Sequence, residues 1–171
     1  MESEPQARAA GHIPGQGPDV DPDAGTLGVR RPRRPLHLDP RYILLVAVGG
    51  IPGALARYGL GLALPAPGGW PLPTLVINLV GAFILGLLLE ALARRGPDHG
   101  PRRTLRLLVG TGFCGAFTTY STFAVESVRL FTAGRLADGV LYDAATLLGG
   151  LVASFLGIWV AASRSTRRGP R

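Results

Sequence analysis

Long runs of apolar residues, almost free of charge, alternate along the chain with short polar or arginine-rich stretches. The runs are 42–62 (YILLVAVGGIPGALARYGLGL), 74–93 (TLVINLVGAFILGLLLEALA), 105–128 (LRLLVGTGFCGAFTTYSTFAVESV) and 141–163 (LYDAATLLGGLVASFLGIWVAAS). A helix that crosses a bilayer needs about 20 predominantly apolar residues, within a range of roughly 17–25. Each run meets that length, and the stretches between them are short. The pattern therefore predicts an all-α membrane protein of four transmembrane helices.

The ends of the chain follow a different pattern. Residues 1–41 are rich in Pro, Gly and Asp and lack an apolar face, which predicts a disordered cytoplasmic tail. No apolar h-region follows the N-terminus, so the segment does not read as a signal peptide. A solvated tail is the expectation, with a regulatory role as the alternative. Residues 164–171 form a basic C-terminal tail, which leaves 42–163 as the membrane domain.

Composition supports this division. The chain holds 25 glycines, many of them inside the apolar runs. A glycine costs about 1 kcal/mol against alanine inside a soluble helix, whereas membrane helices use small residues to bring backbones together. Lys and Arg total 18 against 11 Asp and Glu, every basic residue is arginine, and the formal net charge is +7. A basic balance raises the question of nucleic acid. Here, however, the arginines cluster at the ends of apolar runs, as membrane anchors do. With four spans, both tails and the 94–104 loop share one side. That side gathers Arg30, Arg31, Arg33, Arg34, Arg41, Arg94, Arg95, Arg102, Arg103, Arg106, Arg164, Arg167, Arg168 and Arg171. The opposite side has Arg129 and Arg135, with Arg57 near the end of the first span. The positive-inside rule then places both termini in the cytoplasm and the protein, multi-pass, in the plasma membrane. The single cysteine, Cys114, excludes an intramolecular disulfide. It also leaves no Cys/His cluster with metal-ligand spacing.

The third run is the unusual one. In GTGFCGAFTTYSTFAVE (110–126), Gly110, Gly112 and Gly115 precede Thr118, Thr119, Ser121 and Thr122. Glycine is permissive, and Ser and Thr offer the backbone competing hydrogen bonds. A helix break near the bilayer centre is expected, and such a break survives in lipid only where protein or a wet cavity satisfies it. Freed carbonyls there can coordinate a cation. An intact helix with a Gly/Thr packing face is the alternative. Asn78, an amide within an apolar span, needs a partner. It can join two helices, or donate its NH₂ to a permeating anion. Arg57 and Glu126 lie near helix ends, facing a vestibule or snorkelling to the interface. Asp143 is expected in an interfacial N-terminal turn, and Trp70 at the interface.

Taken together, GGIPGALARY (49–58), TLVINLVGAFILG (74–86) and GFCGAFTTYSTFAVE (112–126) resemble the CrcB/Fluc fluoride channel family. The resemblance covers about residues 42–163. It implies passive efflux of fluoride through an antiparallel, dual-topology dimer with two pores, each built from both subunits. Asn78 would bind fluoride, and Tyr120 and Phe123 would take the places of two pore phenylalanines. Ser121, Thr122, Tyr142 and Thr146 would complete the polar lining, with Arg57 and Glu126 as vestibule charges. Gly115 and Thr118 would give backbone carbonyls to a structural Na⁺ at the dimer interface. These roles suit the chemistry, because fluoride must exchange its water for other donors. Amides and hydroxyls supply N–H and O–H groups, and aromatic rings are electropositive at the edge. No P-loop or catalytic dyad is present, so an enzyme is not expected.

Two features depart from the family pattern. Tyr120 stands where a phenylalanine is usual. The charge bias of the loops is also strong for a subunit that must insert both ways, so a homologous partner of opposite bias competes with a homodimer. A four-helix small-molecule exporter is the alternative function, but the acids Glu90, Glu126 and Asp143 lie near span ends and not in the core. A non-conducting assembly protein would leave the run 118–123 without a role.

Overall fold

The computed structural model describes residues 39–166, with side chains described to residue 163. Of the expected tails, residues 1–38 and 167–171 lie outside the described residues. Within them every regular element is helical.

Helix α1 (Pro40–Ala63) starts where Asp39 caps it. The Asp39 carboxylate accepts from Arg41 N at 3.0 Å, and Pro40 sits at the first helical position, where no N–H is needed. A short 3-10 turn, Pro67–Gly69, leads into α2 (Leu72–Ala93). After the arginine-rich loop come α3 (Pro101–Leu105), a π-helical stretch (Arg106–Cys114) and a single turn, α4 (Gly115–Phe117). The chain then breaks and resumes as α5 (Tyr120–Thr132) and α6 (Leu136–Thr166).

Among the described residues, three helices are long and apolar enough to cross a membrane: α1, α2 and the Leu136–Ser163 part of α6. At 1.5 Å per residue the 22 residues of α2 extend about 33 Å, enough for a hydrocarbon core of about 30 Å. The run at 105–128 is not a continuous helix. Its first part is wound more loosely than an α-helix, in π geometry, which is rare and frequently found at functional sites, and its second part is a separate helix.

The apolar faces are turned outward. Leu44, Ile51, Leu55, Leu148, Phe155 and Trp159 are all more than half exposed, as lipid-facing side chains are. The interior is built from small residues. A Cβ on Gly49 or Gly53 of α1 would strike the Leu108 or Phe113 carbonyl of the π stretch. Gly86 of α2 and Gly157 of α6 let those two helices approach backbone to backbone in the same way. Accordingly α1 packs chiefly on the π stretch and α2 chiefly on α6. Close approach through small residues is how helices associate where lipid provides no hydrophobic drive between them.

The boundaries carry one correction. Helix α6 begins at Leu136, five residues before the expected start of 141, and its first turn holds Asp138 instead of Asp143. Gly134, with φ 76°, closes the preceding turn and lets the helix start early. Asp143 therefore lies two turns inside, where it accepts the Ser127 hydroxyl at 2.5 Å.

Candidate functional site

The break is made by two threonines. Thr118 and Thr119 are both extended, with ψ of 159° and 121°. Thr118 ends α4 by directing its own N–H and its hydroxyl onto the Cys114 carbonyl, at 3.0 and 2.9 Å. Thr119 is the N-cap of α5, its hydroxyl oxygen accepting from Thr122 N at 3.2 Å.

Asn78 of α2 holds the break open. Its Oδ1 accepts from Thr119 N at 2.9 Å, and its Nδ2 donates to Thr119 O at 3.0 Å. In a continuous α-helix the Thr119 N–H would bond the Gly115 carbonyl four residues back. Asn78 takes that donor, and so deprives the Gly115 carbonyl of its helical partner. A carboxamide NH₂ has two hydrogens, and one of them is committed here.

The two helix ends at the break differ in sign. The α4 end presents carbonyls, the negative pole of a helix, and the α5 end presents N–H groups, the positive pole. Both face a groove of about 510 Å³. Asn78, Gly115, Thr118, Tyr120, Phe123 and Thr146 line it, with Ala82, Leu85 and Leu147 as apolar wall. Six of the residues expected at a pore or cation site thus share one cavity. Gly115 is exposed, with nothing within 4 Å of where a Cβ would stand.

From the groove a row of aromatic rings leads along the protein. Tyr120 and Phe123 have centroids 6.0 Å apart, Phe123 and Tyr142 5.4 Å, and Tyr142 and Trp70 5.7 Å with nearly perpendicular planes. Tyr120 is 80% exposed and Tyr142 is 0% exposed, so the row runs from an open flank to the protein interior. At its inner end the Glu126 carboxylate accepts from the Tyr142 hydroxyl at 2.7 Å and from the Thr74 hydroxyl at 3.0 Å. Thr146 donates back to the Tyr142 carbonyl at 2.8 Å while lining the groove.

Other expected residues lie apart from this cavity. Ser121 and Thr122 are exposed, and Thr122 Oγ1 accepts from the Thr119 hydroxyl at 3.0 Å. Arg57 is half-buried on α1, one turn beyond Gly53, and has no ion pair or hydrogen bond among the described residues. It does not pair with Glu126, whose partners are Thr74 and Tyr142. Sequence reasoning missed Thr74, and it gave Trp70 an interfacial place but no part in the site. Thr74 had a signal, since it lies four residues before Asn78 and so on the same face of α2. Trp70 sits in a loop and carried no such periodicity.

Fold and site together define a multi-pass α-helical membrane protein with an interrupted helix beside a polar and aromatic groove. The chain belongs to the family described as CrcB-like protein, Camphor Resistance (CrcB), whose model matches residues 44–158. It is 49% identical over 140 residues to a protein of Leifsonia xyli subsp. xyli named fluoride-specific ion channel FluC 2, covering 82% of this chain and 97% of that one. A protein of Geobacillus kaustophilus with the same name is 45% identical over 128 residues, covering 74% and 96%. The Streptomyces coelicolor fluoride-specific ion channel FluC 1 is 43% identical over 120 residues, covering 70% and 76%.

Proposed function

We propose that this chain is a subunit of a fluoride channel that releases F⁻ from the cytoplasm passively and without catalysis. The observation that carries the reading is the clamp of Asn78 on Thr119. It holds open a break whose α5 end offers N–H donors to an anion, in a groove edged by the rings of Tyr120 and Phe123. The names of the relatives supply the identity of the anion.

In this reading the segments on either side of the break cross the bilayer together as a fourth span, in the plasma membrane with both termini cytoplasmic. Fluoride passes from Asn78 along the ring edges to the Thr74–Tyr142–Glu126 cluster. Ser121 and Thr122, exposed and outside the groove of one subunit, would join the lining once a second subunit closes over them, and Arg57 and Glu126 set the potential at the vestibule. A dehydrated anion needs donors that hold it without trapping it, and ring edges beside hydroxyls supply that compromise.

The exposed flank of the groove is where a second subunit, inverted, would close the pore. Hard cations take oxygen ligands, and the Gly115 carbonyl, with the Thr118 carbonyl next to the break, fits Na⁺ in donor type. Such an ion would tie the two subunits together as a structural element. The bias of the arginines favours pairing with a homologous subunit that inserts the other way.

Fluoride and chloride efflux from liposomes containing the purified full chain tests the proposal. Fluoride-selective efflux is expected, from the chain alone or with a paired homologue. Vesicles that stay closed to F⁻ in both preparations would refute it.

A further inference from the structure

A second cavity, of about 460 Å³, lies between the start of α1 and the α3–π segment and shares only Thr111 with the lining of the groove at the break. Ile43, Val46 and Leu107 form its apolar wall, and Arg103 and Arg106 stand in it beside Tyr42. This volume lies within the range of about 300–1,000 Å³ typical of ligand sites. The Arg103 guanidinium sits 6.0 Å from the centre of the Tyr42 ring. Two guanidinium groups and a tyrosine ring thus stand beside an apolar slot that α1 continues into its lipid-facing surface.

The charges in it are only partly answered. Arg106 donates to the Asp98 carboxylate from Nε and Nη2, at 3.1 and 2.8 Å. Arg103 donates from Nη2 to the Asp98 carbonyl at 2.7 Å. Its Nε is buried without a hydrogen-bond acceptor, the Asp98 carboxylate being 3.6 Å away. The one Asp98 carboxylate thus answers two guanidinium groups, which leaves the cavity a net positive charge. The surrounding segment, 90–106, carries five arginines against two carboxylates. The hydrogen bond from Arg106 holds the Asp98 carboxyl below its usual range, so that group is already counted as ionised.

We propose that this cavity is a binding site for an anionic phospholipid, its phosphate received by Arg103 and Arg106 and an acyl chain lying along Ile43, Val46 and Leu107. The apolar wall decides for a lipid over a free phosphate, because a soluble anion has no use for it. Basic pockets between membrane helices at the headgroup level are the sites where such lipids bind. The proposal is independent of what the groove at the break conducts.

The full chain in mild detergent, titrated with phosphatidylglycerol or phosphatidylcholine and read by native mass spectrometry, tests it. Phosphatidylglycerol is expected to be retained at one molecule per chain, more tightly than phosphatidylcholine. The double variant Arg103→Gln/Arg106→Gln should weaken that binding about thirtyfold. The control Arg94→Gln/Arg95→Gln, which removes the same charge outside the cavity, should leave it unchanged. If the arginine variant does not fold, Val46→Trp serves instead, filling the slot with both arginines in place, and should also lose the lipid. Equal binding of the two lipids would overturn the site, and so would equal losses in both double variants. Displacement by glycerol phosphate would make it a free-anion site, and release of lipid on dimer formation would assign the slot to a second copy. Either result removes the proposal.

Discussion

Asn78 on α2 and Thr119 at the helix break exchange two hydrogen bonds, amide oxygen to N–H at 2.9 Å and amide N–H to carbonyl at 3.0 Å. The side chain imitates the backbone of a missing helical turn, so one residue both closes the exposed backbone and opens the helix. Asn78→Ala should lose both bonds and leave Thr119 unsatisfied, a destabilisation of about 2–3 kcal/mol, and fluoride efflux should fall with it. Asn78→Asp keeps an acceptor for the Thr119 N–H but sets a carboxylate against its carbonyl and against any anion. It should fold better than the alanine variant and still fail to conduct. Thermal unfolding and liposome flux, measured on both variants, separate the two roles.

Tyr120 occupies an open flank, and its hydroxyl makes no hydrogen bond among the described residues. Removing that oxygen should therefore change stability by no more than about 0.5 kcal/mol. In Tyr120→Phe the ring edge persists, so conduction should persist at an altered rate. Complete loss of flux in that variant would contradict the role given to the ring.

The Glu126 carboxylate joins Thr74 and Tyr142, which otherwise belong to different helices. Thr74→Val and Tyr142→Phe should each destabilise, and the double variant should lose less than their sum. A coupling of about 0.5–2 kcal/mol is expected, since hydrogen bonds within membranes average near 0.6 kcal/mol and rarely exceed 1.7. Strict additivity in a double-mutant cycle would show that the two hydroxyls serve Glu126 independently.

Two glycines on one helix should respond in opposite ways. A Cβ at Gly53 meets the Phe113 carbonyl, whereas at Gly59 it meets nothing within 4 Å. Gly53→Ala should force α1 off the π stretch and lower the unfolding temperature. Gly59→Ala should be neutral, or stabilising by up to about 1 kcal/mol through helix propensity alone.

Much of this architecture was legible in the chain because bilayer thickness imposes a length on apolar runs, and three of the four runs are single helices that cover them. The break was legible in kind, since glycines followed by threonines weaken a helix wherever they stand. Its mechanism was not. Nothing in the local sequence around Thr119 indicates that its backbone is satisfied by a side chain 41 residues earlier. The π winding of Arg106–Cys114 was hidden for a related reason, since it follows the close approach of Gly49 and Gly53 from another helix. Asp143 was misplaced because a turn at Gly134 lengthened α6 beyond its apolar run.

By itself the sequence determined the approximate extent of the apolar runs and the weak point of the third one, both properties of residues near one another in the chain. Only the tertiary structure decided which polar groups meet: Asn78 with Thr119, Glu126 with Thr74 and Tyr142, Arg103 with Tyr42. Such pairings depend on helix rotation and crossing, and these are set by where backbones can touch through glycine, which hydropathy does not record.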